Sequence, residues 1–198
     1  MDRKKALENK STLKIHEELQ ELHADLFGAF KQQFDRSLPF TDEVFDRWER
    51  AKNLGWGEGS SVYDSAYIFG ETAVGKNTWI GPFTIIDGSG GLVIGDNCTI
   101  SSGVHIYTHN NVKQTLSGGK LPIDRESVSI GSCTYIAPQT VIAMGVTIGN
   151  HCIIATNSFV NKNFPDNSII AGNPAKQIGR VVFKDDQIEF DYSETNQS

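Results

Sequence analysis

The stretch IGSCTYIAPQTVIAMGVTIGNHCIIATNSFV, Ile130 to Val160, places a β-branched residue at positions 130, 136, 142, 148, 154 and 160, one every six. Four residues after the first five of these comes a small or thin side chain: Thr134, Thr140, Val146, Cys152 and Ser158. The same beat runs upstream through Val62, Ile68, Val74, Ile80 and Ile86. After a two-residue slip in Gly88-Ser89-Gly90-Gly91 it continues through Ile94, Ile100 and Ile106. A helix turning every 3.6 residues smears a six-residue period around its circumference, but a short strand can use it. Side chains alternate along a strand, so the branched residue and the one four later point to the same side. Gly, Asn and Asp between them supply the turns. Three strand-and-corner units close a triangular coil, and coils stacked at about 4.8 Å cover one another's strand edges. The pattern predicts a mainly β protein, a parallel β-helix with branched side chains filling its interior.

Hexads this strict resemble the hexapeptide-repeat acyltransferases across roughly residues 60 to 180. The resemblance implies a left-handed coil; general chain connectivity prefers the opposite hand. The expected organisation is a helical segment at 1–58, the β-helix at 59–180 with a protruding loop at 109–127, and a tail at 181–198. Cys98 and Cys152 take inward small positions, so packing is their expected role, while Cys133 is one residue off that register and can face outward.

In the front segment, Leu19, Leu22, Leu26, Phe27, Phe30 and Phe34 recur at helical spacing, and Ser11 or Thr12 can cap the start. Leu38-Pro39-Phe40 breaks this helix. A second is expected from Thr41 to about Gly55, with Val44, Phe45 and Trp48 facing inward. The front segment is expected to cap the first coil, hiding an edge that would otherwise pair with other chains.

Between His109 and Val128 the beat stops for NNVKQTLSGGKLPIDRES. Long surface loops cost little extra closure entropy, so a tolerated insertion is one explanation. Structureless loops of this length are nonetheless uncommon in compact domains and tend to be functional. In the resembled family such a loop leaves the coil beside a histidine that deprotonates the acceptor hydroxyl, and IYTHNN fits that place. The likeness is greatest to sugar O-acetyltransferases, including those of bacterial surface polysaccharide assembly. It implies His109 as general base, acetyl-CoA as donor and a homotrimer with the donor between neighbouring subunits. The tail FVNKNFPDNSIIAGNPAKQIG resembles the family's terminal segment along bound CoA, which makes Lys162, Ala171, Gly172, Pro174 and Lys176 candidate contacts. Gly172-Asn173-Pro174 is also a plain turn signal that ends the repeat.

Secondary candidates surround this core. Asp87, beside the slip, can receive a sugar hydroxyl or serve as a turn carboxylate. His105 either lines the cleft or covers a subunit surface. Phe83 aligns with an asparagine that the galactoside and maltose enzymes present to the acceptor. Trp79 and Tyr135, outward on strands, suit a sugar platform or a subunit contact. Gly88-Ser89-Gly90-Gly91 opens no helix and is a weak phosphate-loop signal.

The alternatives are a nucleotide-amino-sugar N-acetyltransferase, a serine acetyltransferase and a non-catalytic trimeric scaffold. A zinc-dependent γ-type carbonic anhydrase would need His105, His109 and His151 together, but the H-x4-H spacing is absent.

With 18 Lys and Arg against 24 Asp and Glu, the net charge is −6, and the basic residues do not cluster. That excludes the electrostatic footprint of a nucleic-acid binder. Three cysteines without CxxC spacing do not suit a disulfide framework. MDRKKALENK has no apolar h-region and no run approaches a membrane span, so a reduced cytoplasmic protein is expected.

Overall fold

The computed structural model describes residues 3–8, 10–185 and 187–192, and the chain divides into two compact units, Met1–Asp46 and Arg47–Ser198. The last six residues of the expected tail lie outside the described residues.

The smaller unit holds α1 (Arg3–Leu7), α2 (Thr12–Phe34) and α3 (Phe40–Val44). Ser11 stands at the N-cap of α2 as expected but makes no side-chain capping bond. The apolar stripe does not become a core: α2 buries no residue, and Leu19, Leu22, Phe27 and Phe34 are exposed. The expected second helix is two pieces, α3 and α4 (Arg47–Asn53), because Phe45 between them adopts extended backbone, φ −105° and ψ 126°. Val44, Phe45 and Trp48 are exposed rather than inward. Asp42 and Glu43 are the buried residues of α3. Glu43 Oε2 lies 3.4 Å from His23 Nε2, whose ring meets Phe40 edge-on at 5.4 Å.

The larger unit is a β-solenoid of parallel stacked coils with three faces. On the first face, Val62 pairs with Ile80, Ile80 with Ile100, Ile100 with Ile136, Ile136 with Ile154 and Ile154 with Ile170. On the second, Ile68, Ile86, Ile106, Ile142 and Val160 pair in turn. On the third, Val74, Ile94, Ile130 and Ile148 do the same, ending in a bridge to Phe164. The long strands Tyr67–Val74 and Ile85–Ile94 run from the second face around the corner onto the third. Each face contributes one inward column, in which every member from Ile80 to Val160 is at most 1% exposed. Cys98 and Cys152 are buried among these columns, and Cys133 is exposed.

Two corners are turned by single residues with left-handed backbone, stacked coil over coil. One carries Asn77, Asn97, Cys133 and His151; the other carries Phe83, Gly103, Gln139 and Asn157. Asn and Gly tolerate this conformation, whereas Phe83 (φ 58°) holds it against the clash of its own Cβ. A glycine after the branched residue has a packing cause: a Cβ on Gly131 would stand 2.5 Å from the Gly149 carbonyl carbon in the next coil.

The first coil is closed by α4 and the turn after it. Ala51 and Trp56 enter the core, Arg50 donates to the carbonyls of Tyr63 and Ala66, and Trp56 Nε1 donates to Thr72 Oγ1 at 3.2 Å. At the other end the chain reverses after Gly172, adding Ala175–Lys184 and Gln187–Asp191 as antiparallel strands. Among the described residues, no helix is long and apolar enough to cross a membrane.

Candidate active site

The two departures from the hexad beat occupy one corner, between the second and third faces. Ile86 pairs with Ile106 and Ile94 with Ile130, so the slip after Ile86 and the interruption after Ile106 stack directly. The interruption is not structureless, as its length alone suggested. His109–Asn110 pairs antiparallel with Asp124–Arg125, α5 (Val112–Leu116) lies between, and Lys113 Nζ is 3.1 Å from Asp124 Oδ2. Asn110 Nδ2 reaches Met144 Sδ in the next coil at 3.2 Å.

This stacking puts Asp87, from the slip, beside His109. His109 Nδ1 is 2.6 Å from Asp87 Oδ2; the carboxylate side chain is 1% exposed and the imidazole 37%. Asp87 Oδ2 also accepts from the Thr108 N–H at 2.8 Å, and Oδ1 accepts from the Ser89 N–H at 2.9 Å. Thr108 is fully buried. Its hydroxyl donates to the Asp87 carbonyl at 2.9 Å and accepts from the Gly90 N–H at 2.8 Å. Burial alone would push the Asp87 carboxyl up. Hydrogen bonds from Ser89, Thr108 and His109 outweigh it and hold the group well below the usual carboxylate range. An anion on Nδ1 fixes the tautomer: the neutral ring carries its proton there and leaves the Nε2 lone pair for another partner.

Asp87 is therefore not placed to receive a sugar hydroxyl, because its oxygens turn inward to Ser89, Thr108 and His109. His105 is half-buried on the outer second face, its Nδ1 3.4 Å from the Tyr107 hydroxyl. Phe83 is 64% exposed at the corner leading into that face. Trp79 packs edge-on to Tyr63 at 6.0 Å, and Tyr135 is 45% exposed. Lys162 follows the strand Phe159–Val160 on the same edge as His109, with Nζ 5.4 Å from the Phe164 ring centre. Ala171, Gly172, Pro174 and Lys176 form one hairpin, in which Ala171 pairs with Lys176 and Gly172 with Ala175. The hairpin ends the first face, at the opposite edge of the second. Among the described residues, no group of three or more His, Cys, Asp or Glu side chains is arranged to hold a metal ion. Sequence reasoning missed the Asp87–His109 pair and the roles of Thr108 and Ser89. Aligning the hexads in columns would have exposed the pair, because it sets the slip directly beneath the interruption.

Comparison with known proteins fixes the class. No protein-family model matches the chain. It is 36% identical over 121 residues to the "Putative acetyltransferase YJL218W" of Saccharomyces cerevisiae, covering 56% of this chain and 60% of that one. It is 28% identical over 170 residues to a chloramphenicol acetyltransferase of Agrobacterium fabrum (76% and 78% covered). It is also 28% identical over 139 residues to the galactoside O-acetyltransferase of Escherichia coli (59% and 68%). A further relative at 30% identity is the "Putative colanic acid biosynthesis acetyltransferase WcaF" of Escherichia coli (55% and 58%). Among solved structures, the hexapeptide-repeat acetyltransferase VCA0836 of Vibrio cholerae matches 82% of this chain and 92% of its own at TM-score 0.61 and 22% identity. Its acetyl-CoA complex matches at TM-score 0.51 and 21% identity, covering 81% and 87%. The chain's sequence relatives are hexapeptide-repeat acetyltransferases, and it carries their fold.

Proposed function

We propose that this chain transfers an acetyl group from acetyl-CoA to a sugar hydroxyl, with His109 as general base, in the assembly of a surface polysaccharide. The observation that carries the proposal is the 2.6 Å contact between buried Asp87 and the half-exposed ring of His109, at the one corner where the coil opens. The hydroxyl attacks the thioester carbonyl carbon while Nε2 takes its proton. The resulting tetrahedral oxyanion collapses, the C–S bond breaks, and the imidazolium returns its proton to the departing thiolate. The products are an acetyl ester and free CoA. Asp87 holds the ring in position and stabilises the imidazolium formed on the way.

The donor lies along the second face, between Lys162 at one edge and the 171–176 hairpin at the other, in a groove completed by a neighbouring subunit of a homotrimer. Galactoside and colanic acid acetyltransferases among the relatives support a sugar as acceptor. The test is His109→Ala: turnover falls at least about a hundredfold while CoA binding survives. Turnover like that of the native protein removes the assignment.

A further inference from the structure

Below the dyad, the outer surface of the second face carries two aromatic side chains that the mechanism does not use. Tyr67 is 64% exposed and Phe69 48% exposed, and their rings stack at 6.2 Å with an interplanar angle of 21°. In register, Tyr67 lies beneath Ile85 and Ile85 beneath His105, while Phe69 lies beneath Asp87. The stacked rings are thus two strand spacings, about 10 Å, from the coil that carries His109. Beside them opens a cleft of ≈ 580 Å³, whose lining includes Gly70, Glu71, Thr72, Gly91 and Ser127. That volume suits a small organic ligand.

We propose that Tyr67, Phe69 and this cleft bind a sugar residue of the acceptor remote from the reacting one, so that the acceptor is a glycan of two or more residues. This rests on the preceding reading of the site. A pyranose has an apolar face that packs on aromatic rings and a rim of hydroxyls that needs donors and acceptors. The stacked pair supplies the first, and the carboxylate of Glu71, the hydroxyls of Thr72 and Ser127 and the nearby backbone supply the second. A subunit contact would use the aromatic area but has no need of a polar-walled hollow next to it. The separation sets the length: one pyranose ring cannot touch His109 and Tyr67 together.

The test is binding of the full chain to an immobilised array of neutral and acidic saccharides one to six residues long, with sedimentation of each variant alongside. The native protein holds oligosaccharides at least about tenfold more tightly than the matching monosaccharides. Tyr67→Ala with Phe69→Ala abolishes that gain, and Tyr67→Trp retains it. His109→Ala binds the array as the native protein does, so loss of acetyl transfer and loss of glycan length dependence are separate results. The proposal is overturned if no saccharide longer than one residue is preferred, or if the double variant binds like the native protein. A double variant that sediments with lower mass also overturns it, since the aromatic pair would then be a subunit contact.

Discussion

Replacing Asp87 with asparagine changes one atom in a buried carboxylate that accepts from three N–H groups, those of Ser89, Thr108 and His109. An amide offers one oxygen and one NH2. If the NH2 faces Ser89, two N–H donors oppose each other inside the corner. If it faces His109, the imidazole must accept at Nδ1 and carry its proton on Nε2, the nitrogen that has to be free to act as base. Either way the imidazolium loses its counter-charge. A hydrogen bond to a charged group contributes about 1.5–3 kcal/mol, so kcat should fall roughly 10- to 150-fold if that much is lost from the transition state. The unmatched donor costs about 1–3 kcal/mol of folding stability besides. The pH dependence has a defined sign. Asp87 is held below its unfolded value of about 3.9, so its contribution is present above that pH and lost as the solution is acidified below it. The variant should lose stability at neutral pH and show less of this acid-induced weakening. The assay is thiol release from acetyl-CoA at saturating acceptor, with urea unfolding at pH 7 and pH 3. A kcat within threefold of the native value would refute the claim that the carboxylate sets up the base.

Three further outcomes are expected. In the native protein a thiol reagent labels Cys133 alone; burial pushes the Cys98 and Cys152 thiols up, so they react only on unfolding, as counted by mass spectrometry. Ile136→Ala, at a fully buried point of the first column, lowers unfolding free energy by about 2–5 kcal/mol, read from the urea midpoint. Lys162→Glu and Lys176→Glu each weaken CoA binding roughly two- to fivefold and flatten its dependence on salt; unchanged calorimetric affinity in both places the donor elsewhere.

The solenoid was legible because one side chain in six has a single possible destination. A branched residue that must fill a narrow prism leaves the same mark in every coil, and Ile80 through Val160 read as columns without any knowledge of contacts. His109 was legible for the opposite reason, standing where the mark fails. Its partner was not. Asp87 lies 22 residues earlier, and only the stacking of one coil on the next brings them within hydrogen-bonding distance. The helical front misled because spacing reports which residues share a face, not whether anything covers it. Leu19, Leu22 and Phe27 satisfy the spacing and remain exposed. Phe45 broke a helix through its backbone conformation, which composition alone does not encode.

The antiparallel ribbon after His109 enters and leaves the coil side by side, with Asn110 opposite Asp124 and His109 opposite Arg125. Since each turn of a solenoid leans only on its immediate neighbours, whatever is strung between those two rungs barely disturbs the rest. Evolution can therefore exchange that cassette, or lengthen it, and redraw what the enzyme admits while the tower beneath it keeps standing.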